Sequence, residues 1–402
     1  MAQEPAHVPL RNKGNVERAQ RLQYLPYMKW ADRKLHASQV LCVCTLGLCG
    51  MIGSGHAVAT DRTYELPCDV TSFAQSGDGT VIWVACNDRS LWKRWQSDVK
   101  ETREKGIAPP PRPVTSQART VVYVLEVQSG RVSEIQDAEG PIYIVAAPVG
   151  AKAVLILPQD RGHGRPILFD GSQRVAELPI DPSFLIWSAD ASKIYFYGGS
   201  AIEADAWNIL GVLRLDNLTI SREKLLEPTE SVHICAATGH LFTGDPIPND
   251  KGQLEANAVE YDSDVKSGRR ITKFPSGNFS ASCRYVATEH SYHGPLPWEI
   301  VDVTTGAHLV LFDFTGEGKK EEFEFRSWNP KRENIFVRTL VTPITGEAEA
   351  PHLVLQVLDL SERRVLESLP DFSGPVEWTQ DGRTLILSRA KSIVFHRVFA
   401  EN

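Results

Sequence analysis

Several signatures of catalysis are missing from this sequence. It has no Gly-x-Ser-x-Gly nucleophile elbow, which argues against an appended serine hydrolase domain. It also lacks a phosphate-binding loop and a His-Glu-x-x-His zinc motif. A Cys-x-x-Cys-His motif is absent too, which excludes covalently attached c-type haem. Any catalytic residues stay unknown at this level, because a site assembled from distant parts of a chain leaves no local motif.

Basic side chains are scarce over most of the chain. Residues 1–59 contain seven Lys or Arg and three acidic residues. Removing these from the totals of 43 basic and 50 acidic residues leaves 36 and 47 in residues 60–402, a net charge of −11. This part lacks the basic footprint of a nucleic-acid binder, so we expect no nucleic-acid partner. With 42% hydrophobic and 23% charged residues, the chain has the composition of a folded globular protein.

Long apolar runs are limited to one stretch near the N-terminus, Val40–Ile52. Basic residues precede it, and small residues ending at Ala59 follow it. This order predicts a secretory signal peptide, cleavage near Ala59, and a periplasmic or extracellular mature chain without a membrane span. An uncleaved anchor is the alternative. A start at Met28 would give a signal of ordinary length, so the sequence leaves both Met1 and Met28 open as the start.

Cysteines are few once the signal is removed. Those that remain are Cys68, Cys86, Cys235 and Cys283. An exported compartment permits disulfides, and these residues allow three complete pairings. Cys68 and Cys86 flank the first predicted strand–turn–strand, so antiparallel pairing would bring them close. Buried free thiols are the alternative, and no pair has the spacing of a zinc site.

What the sequence does contain is a repeat that returns about seven times between Cys68 and Phe395. Each copy has an apolar strand, a polar turn, a second apolar strand, a loop, and a third strand ending in a hairpin. The clearest copies are 184–197, 325–337 and 376–387. A period of about 40–50 residues with several short strands is typical of propeller blades. We therefore predict an all-β fold over residues 60–402, a seven-bladed β-propeller with four strands per blade.

The two ends of the repeat region predict how the ring closes. The last copy stops at 393–399 with no room for a fourth strand, and the segment Arg62–Leu66 precedes the first blade. We expect this segment to supply the missing strand and remove the free edge. Six or eight blades remain alternatives, because the fourth copy is faint. The tryptophans at equivalent positions are expected to be packing residues: Trp187, Trp328 and Trp378.

The motif Trp-Ser-x-Asp followed by Lys-Ile-Tyr-Phe at 187–196, echoed at 378–387, resembles TolB-like propeller repeats, relatives of the WD-repeat class. The resemblance covers most of residues 62–399. It implies the fold and is nearly silent on function, since such propellers serve as binding platforms, enzyme domains and scaffolds. The chain departs from the family pattern in two ways: Ala191 replaces the turn glycine, and the fourth blade lacks the tryptophan.

One face of the predicted propeller carries most of the irregular sequence. Turns between first and second strands and between third and fourth strands are short, whereas the connections between second and third strands are long. These connections define the loop-rich face: 87–119, 159–165, 198–207, 244–257, 290–297 and 340–351. Loops on a rigid scaffold are where binding usually occurs, so we predict the functional site on this face.

Two clusters on the loop-rich face are candidates for ligand binding: Trp92, Arg94 and Trp95, and Arg161, His163 and Arg165. The first precedes a charged, Pro-rich insertion, 97–119, and its aromatic rings beside an arginine suit a clamp on a ligand or peptide. A flexible spacer is the alternative. The second has guanidinium groups and glycines suited to an anion, with a solvated turn as the alternative.

The metal candidates are Glu289, His290 and His293. Two imidazoles and a carboxylate within five residues suit a divalent metal, provided that the segment turns, because strand residues three apart point to opposite faces. Asp262 and Asp264 form a weaker calcium candidate. No other cofactor is predicted.

These observations favour a binding or scaffolding module that recognises a protein or small-molecule ligand through its loop-rich face. The alternative is a propeller enzyme, either metal-dependent and lactonase-like or a quinone-linked oxidoreductase, with a site at the channel mouth that also uses Asp245. A purely structural role in an envelope assembly is a third possibility. The sequence does not determine the ligand or the oligomeric state.

Overall fold

The structure is a computed structural model, and its described residues are 62–87, 97–99, 101–102, 105, 119–158, 164–182, 184–197, 209–226, 232–243, 247–248, 254–255, 258–271, 277–289, 298–309, 322–342, 352–370, 372 and 374–400. The chain divides into two compact units. One comprises Ala57–Thr342 with Leu353–Asn402 and forms the propeller. The other comprises Met1–His56 with Pro343–His352, of which only the backbone of His352 is described.

The first strand, β1 (Arg62–Glu65), precedes the first blade. Blade 1 contains β2 (Asp69–Gln75), β3 (Val81–Asn87), β4 (Arg119–Glu126) and β5 (Val132–Glu139). Blade 2 contains β6 (Tyr143–Ala146), β7 (Lys152–Pro158), β8 (Gly164–Asp170) and β9 (Gln173–Glu177). Blade 3 contains β10 (Phe184–Trp187), β11 (Lys193–Tyr197), β12 (Ile209–Arg214) and β13 (Ile220–Lys224).

Blade 4 contains β14 (Val232–Ile234), β15 (Leu241–Thr243), β18 (Ala258–Tyr261) and β19 (Gly268–Ile271), and a small hairpin is inserted in it, β16 (Ile247–Pro248) with β17 (Leu254–Glu255). Blade 5 contains β20 (Asn278–Phe279), β21 (Tyr285–Glu289) and β22 (Trp298–Asp302). Blade 6 contains β23 (Glu322–Trp328), β24 (Ile335–Thr342), β25 (His352–Asp359) and β26 (Arg364–Pro370). Blade 7 contains β27 (Val376–Trp378), β28 (Thr384–Arg389) and β29 (Ser392–Arg397).

The seven-bladed propeller predicted from the repeat is confirmed. Six of the sheets have four antiparallel strands each. Among the described residues, blade 5 has three strands. His308 forms an isolated antiparallel bridge with Val301 of the third strand, at the position that a fourth strand would occupy. The faint fourth copy is a regular four-stranded blade, so the alternatives of six or eight blades are wrong.

The predicted closing strand is also confirmed. In blade 7 the order is β1-β29-β28-β27, so the N-terminal β1 is the outermost strand of the C-terminal blade. Tyr64 lies opposite Ile393, and the Leu66 N–H donates to the Lys391 carbonyl at 2.7 Å. The Tyr64 hydroxyl donates to the Val127 carbonyl of blade 1 at 2.9 Å. We call the junction of blades 7 and 1, with β1, the seam.

Among the described residues, the core lies between blades and forms seven hydrophobic clusters, one at each junction. At the junction of blades 3 and 4, for example, Tyr195 and Leu210 pack against Leu241 and Val259. Each sheet is apolar on both faces because it has a neighbouring blade on each side. This explains strands such as β3, in which six successive residues are buried.

The repeated Ser-x-Asp sequence builds the turn between the first two strands. In blade 3 the Ser188 hydroxyl accepts the Lys193 N–H at 2.9 Å and donates to Asp190 Oδ1 at 2.6 Å. Asp190 Oδ1 also accepts the Ser192 N–H, and these bonds, led by that from Ser188, lower the pKa of Asp190 to about 2. The same arrangement occurs in Ser76 with Asp78 and in Thr379 with Asp381. The motif is therefore structural.

Two of the repeated tryptophans pack between blades, as predicted, and also cap a neighbouring strand. Trp187 Nε1 donates to the Val145 carbonyl at 2.9 Å, and Trp328 Nε1 donates to the Asn278 carbonyl at 2.7 Å. Both acceptors lie on the inner strand of the preceding blade. The equivalent acceptor for Trp378 would be Ser327, which adjoins a bulge in β23. Trp378 Nε1 is buried with no acceptor among the described residues.

Candidate functional site

The ends of the blades differ in how much chain joins their strands. At one end, which we call the turn face, a short turn such as 188–192 joins the first strand to the second. The opposite end is the loop-rich face, where β3 and β4 are separated by residues 88–118, β11 and β12 by 198–208, and β24 and β25 by 343–351. A four-stranded meander places each of these connections at the end opposite the first turn. The asymmetry expected from the sequence is present in the strand boundaries.

Most of the site residues predicted from sequence lie outside the described residues: Trp92, Arg94, Trp95, Arg161, His163, Asp245, His290 and His293. Arg165 is described. It lies in β8, and its Nε is 3.8 Å from Glu177 Oε2. Its side chain is 40% exposed, so Arg165 and Glu177 form a solvated ion pair. Glu289 is described only in its backbone, which pairs with Trp298 at the end of β21.

The Pro-rich insertion predicted at 97–119 is described at a few residues. Residues 97–99 and 101–102 are helical, and the Thr102 hydroxyl donates to the Asp98 carbonyl at 2.8 Å. Arg119 begins β4 and forms an ion pair with Asp137, so it belongs to the blade.

The two aspartates considered for calcium have other partners. Asp264 Oδ1 lies 2.6 Å from Lys193 Nζ and 3.2 Å from Arg214 Nη2, which ties blade 4 to blade 3. Asp262 accepts the backbone N–H groups of Asp264 and Lys266 and so closes the turn between β18 and β19. Hydrogen bonds, led by that from the Ser267 hydroxyl, lower the pKa of Asp262, whereas the hydrogen bond and charge of Lys193 lower the pKa of Asp264. They act as turn and junction residues.

A partly buried carboxyl lies at the seam on the inner strands. The Gln75 N–H points away from β3, because the neighbouring Ser76 N–H donates to the Val81 carbonyl across the strand pair. Gln75 therefore presents its N–H at the open inner edge of blade 1. Glu377 Oε2, from the inner strand of blade 7, accepts that N–H at 3.0 Å. Burial, opposed only by this hydrogen bond, raises the pKa of Glu377 to about 7.

The side chain of Gln75 adds a second polar group to the inner strand of blade 1. Gln75 is 7% exposed, and its Oε1 has no hydrogen-bond partner among the described residues. At the equivalent position, blades 3, 6 and 7 have a tryptophan, and Gln75 replaces it in blade 1. The seam is therefore polar at its inner edge. At the junction of blades 2 and 3, by contrast, the equivalent position is the indole of Trp187 on an apolar strand.

A second pair of charged side chains lies on the inner strand of blade 6. Arg326 lies at the bulge in β23, and its Nε donates to Thr339 Oγ1 at 2.8 Å. Arg326 Nη2 is 3.1 Å from Glu324 Oε2. Burial raises the pKa of Glu324, although the arginine opposes this. Bulges redirect side chains and are common near functional sites, so this pair is a candidate for a polar ligand at the channel.

The inner strand of blade 4 contributes an uncharged imidazole. Burial lowers the pKa of His233 to about 4, so the ring is neutral at physiological pH. His233 lies opposite Phe242, whose ring contacts Phe279 of blade 5 at a centroid distance of 4.5 Å. The side chain of His233 is partly buried on this strand, and its neutral ring adds no charge to the junction.

Together, Glu377, Gln75, Glu324 and Arg326 form what we call the inner-strand group, which spans blades 6, 7 and 1. Burial raises the pKa of both carboxyls, and that of Glu377, at about 7, lets this group accept or release a proton near neutral pH. Within the described part of the chain, no three His, Cys, Asp or Glu side chains are arranged to hold a metal. The group can bind a polar ligand or exchange a proton.

Sequence reasoning missed the inner-strand group. The signal available was a charged residue immediately before the repeated tryptophan, as in Val376-Glu377-Trp378, where blade 3 has Ile186. The equivalent position is apolar in blade 3, so an acidic residue there indicates that a requirement other than packing determines the residue type.

Comparisons with known proteins returned solved structures alone. No protein-family model matches the chain, and no curated protein matches it. A chain in the crystal structure of a mitotic checkpoint complex is 13% identical, with a TM-score of 0.48, over 88% of this chain and 100% of that one. The β-propeller domain of the Trilobed protease from Pyrococcus furiosus, described as having an open velcro topology, is 8% identical, with a TM-score of 0.48, over 84% and 97%.

Oligogalacturonate lyase from Vibrio parahaemolyticus is 10% identical, with a TM-score of 0.38, over 58% of this chain and 66% of that one. Likeness at these values carries no information about activity. Membership of the TolB-like family stays a prediction. Among the described residues, no helix has the length and apolarity needed to span a membrane.

Proposed function

We propose that this protein is an exported recognition module that binds a protein or small-molecule ligand on its loop-rich face. The observation that carries the proposal is the contrast between the two faces. Short turns closed by side-chain hydrogen bonds form one face, whereas all the long second-to-third connections, including residues 88–118, start and end at the other. A rigid ring that displays long connections on one side is suited to binding.

The electrostatics of the propeller support the choice of partner. Residues 60–402 have a net charge of −11, which favours neutral or cationic partners and opposes nucleic acid. In the described interior, polar groups are bonded to other groups of the propeller. Tryptophan N–H groups donate to strand carbonyls, and side-chain hydrogen bonds close the Ser-x-Asp turns. Scaffolds of this kind hold their shape while the loops vary.

The test is to replace residues 88–118 with a short Gly-Ser linker and to measure recovery of cross-linked partners from the exported fraction. We expect recovery of the specific partner to fall at least tenfold, because residues 88–118 are the longest of the second-to-third connections on this face. The matched control is Val149→Ser with Leu218→Ser, which changes residues that are 47% and 41% exposed in turns. If the control loses the partner and the loop variant keeps it, the binding face is the turn face.

Export is part of the proposal. The N-terminal sequence supports it, and so does the Cys235–Cys283 disulfide, because disulfides persist in oxidising compartments. Mass spectrometry of the mature chain from cells should give Thr60 as the first residue. A chain that retains residues 1–59 in the cytosol would contradict export and leave the binding proposal standing.

One observation favours the enzyme alternative: Glu377, with a pKa of about 7, accepts the N–H of Gln75, whose side-chain Oε1 has no partner among the described residues. Elemental analysis of residues 60–402 before and after chelation tests it, with His290→Ala/His293→Ala as the matched variant. Stoichiometric metal that this variant loses would place an enzyme ahead of a recognition module. Metal-free protein of unchanged stability would favour recognition.

A further inference from the structure

Two free cysteines lie together at the seam. Cys86, on β3, is fully buried, and its Sγ is 3.6 Å from the carbonyl oxygen of Cys68. Cys68 lies in the short link between β1 and β2 and is partly buried. Each thiol is within interaction distance of the other, and the Tyr123 hydroxyl also contacts Cys68.

The strand register explains why these residues meet. Val70 lies opposite Cys86, and the side chains of Val70, Cys86 and Cys68 pack in one cluster, so Cys68 projects on the same side of blade 1 as Val70. Cys68 is therefore diagonal to Cys86 across the strand pair. The bend at residues 67–68 brings the two side chains within reach of a sulfur–sulfur bond. Both side chains belong to the seam cluster with Tyr64 and Leu66.

We propose that Cys68 and Cys86 form a second disulfide, which anchors the link behind the closing strand. The bond fixes residue 68, three residues after the end of β1, to the second strand of blade 1. It restrains the closing strand close to its docking position on β29. The pairing complements Cys235–Cys283, so the mature chain has two disulfides and no free thiol.

The oxidant is a disulfide donor, such as oxidised glutathione or a dithiol oxidase of the exported compartment. The Cys68 thiolate attacks one donor sulfur, breaks the donor S–S bond and releases one donor thiolate. The Cys86 thiolate then attacks the Cys68 sulfur of the mixed disulfide and releases the second donor thiolate. Two electrons pass to the donor, and the two protons end on its thiols.

The timing follows from the environment of the thiols. Burial raises the pKa of both Cys68 and Cys86 in the folded chain, so little thiolate is available there. The exchange therefore proceeds while the seam is still open, during folding, and is slow in a chain folded in the reduced state. The partly exposed Cys68 is the residue that meets the donor first.

The test uses residues 60–402 carrying Cys235→Ala and Cys283→Ala, which leaves Cys68 and Cys86 as the only cysteines. The variant is refolded from denaturant with a mixture of reduced and oxidised glutathione, then digested without reductant. We expect a peptide pair cross-linked between 68 and 86 and no thiol that reacts with maleimide after denaturation. Reduction should lower the thermal midpoint by roughly 5 °C.

A second protein keeps the proposal testable if that variant folds poorly. In wild-type 60–402 refolded in the same way, peptide mapping should give both cross-links, and the control Cys68→Ala should keep one unreactive buried thiol until it is denatured. Two free thiols in every refolded sample would overturn the proposal. The pairing depends on export only for its oxidant, so cross-linking in vitro with free thiols in cells supports the pairing and contradicts export.

Discussion

Two junctions between neighbouring blades use the same geometry with different chemistry. In blades 4 and 6, the residue after the inner strand, Cys235 or Asn329, donates its N–H to the start of the second strand, at 3.0 and 2.9 Å. In the following blades, the turn residue Cys283 or Gly382 has a positive φ, 65° or 66°. Each pair spans its junction. Cys235 is bonded covalently to Cys283, whereas Asn329 Nδ2 donates to the Gly382 carbonyl at 2.7 Å.

The difference teaches what the turn position permits. A side chain added at Gly382 would place its Cβ 2.4 Å from Asn329 Oδ1, so the hydrogen-bonded junction requires glycine. At Cys283 the side chain is itself the bridge, and the disulfide holds a non-glycine residue in the left-handed region. One contact between blades can thus be made by a side-chain amide or by a covalent bond.

The largest expected effect comes from breaking the covalent junction. Replacing both Cys235 and Cys283 with Ala should lower the free energy of unfolding by about 4 kcal/mol, because the bond closes a long loop in the unfolded chain. The sequence separation of the two cysteines is 48 residues. Denaturant titration measures the loss, and a Cys68→Ala/Cys86→Ala variant, whose one remaining disulfide is Cys235–Cys283, should lose a similar amount when it is reduced. A loss below about 1 kcal/mol would show that packing alone holds this junction.

The seam extends the comparison to a junction that depends on pH. The pKa of Glu377 is raised from 4.5 to about 7 by burial, so the folded state holds a proton that the unfolded state releases. Stability is therefore lost as pH rises from 4.5 through about 7. Glu377→Gln keeps an acceptor for Gln75 and should raise the free energy of unfolding by about 3 kcal/mol at pH 8.

At pH 5 the same Glu377→Gln variant should differ little from wild type. His233 is an internal control, because its pKa is lowered from 6.5 to about 4 and its contribution is lost as pH falls through that range. It is present in both proteins, so it cancels in their difference. An equal effect of Glu377→Gln at both pH values would contradict a raised pKa at the seam.

The hydrogen-bonded junction can be resolved by a double-mutant cycle. Asn329→Ala removes the bond to Gly382 and the acceptor of two turn N–H groups, at a cost of about 2 kcal/mol. Gly382→Ala should cost a similar amount, about 2 kcal/mol, through its φ and the clash with Asn329. The double variant should cost about 1 kcal/mol less than the sum of the two. Strict additivity would show that the two residues do not share the space.

The smallest expected effect concerns a turn with neither device. Ala191 has a φ of 55° and no covalent bond to compensate for it. Ala191→Gly should raise the free energy of unfolding by about 0.5 kcal/mol, since relief of strain exceeds the added chain entropy. The matched control is Gly150→Ala, where an added Cβ meets nothing within 4 Å, so the cost of about 1 kcal/mol is purely conformational. Thermal unfolding of both variants measures the difference.

The sequence repeat made the fold predictable, but it did not predict which side chains meet between neighbouring blades. The alternating strands, the Ser-x-Asp turns and the lone segment before blade 1 are local patterns, and each led to the observed element. The Cys235–Cys283 pairing depends on a contact between two blades: the first turn of blade 5 meets the end of the inner strand of blade 4. This contact is not visible in the sequence, so all three pairings stayed open.

The candidate site was less predictable than the fold. Glu377 was overlooked because a single acid beside a tryptophan has no chemical pattern; its meaning depends on the Gln75 N–H of another blade. The clusters around Trp92, Arg161 and His290 lie outside the described residues, except for Arg165 and the backbone of Glu289, and stay predictions. Chemistry assembled across blades leaves little trace along the chain.

The pairing of β1 with β29 sets the order in which this protein can be completed during synthesis. The strand made first has no partner until residues 392–397 have left the ribosome. Until then, blade 7 lacks its two outer strands, and the edge of β28 has nothing to pair with. Any premature end of translation before Ser392 therefore leaves Arg62–Glu65 unpaired, however many earlier blades have formed.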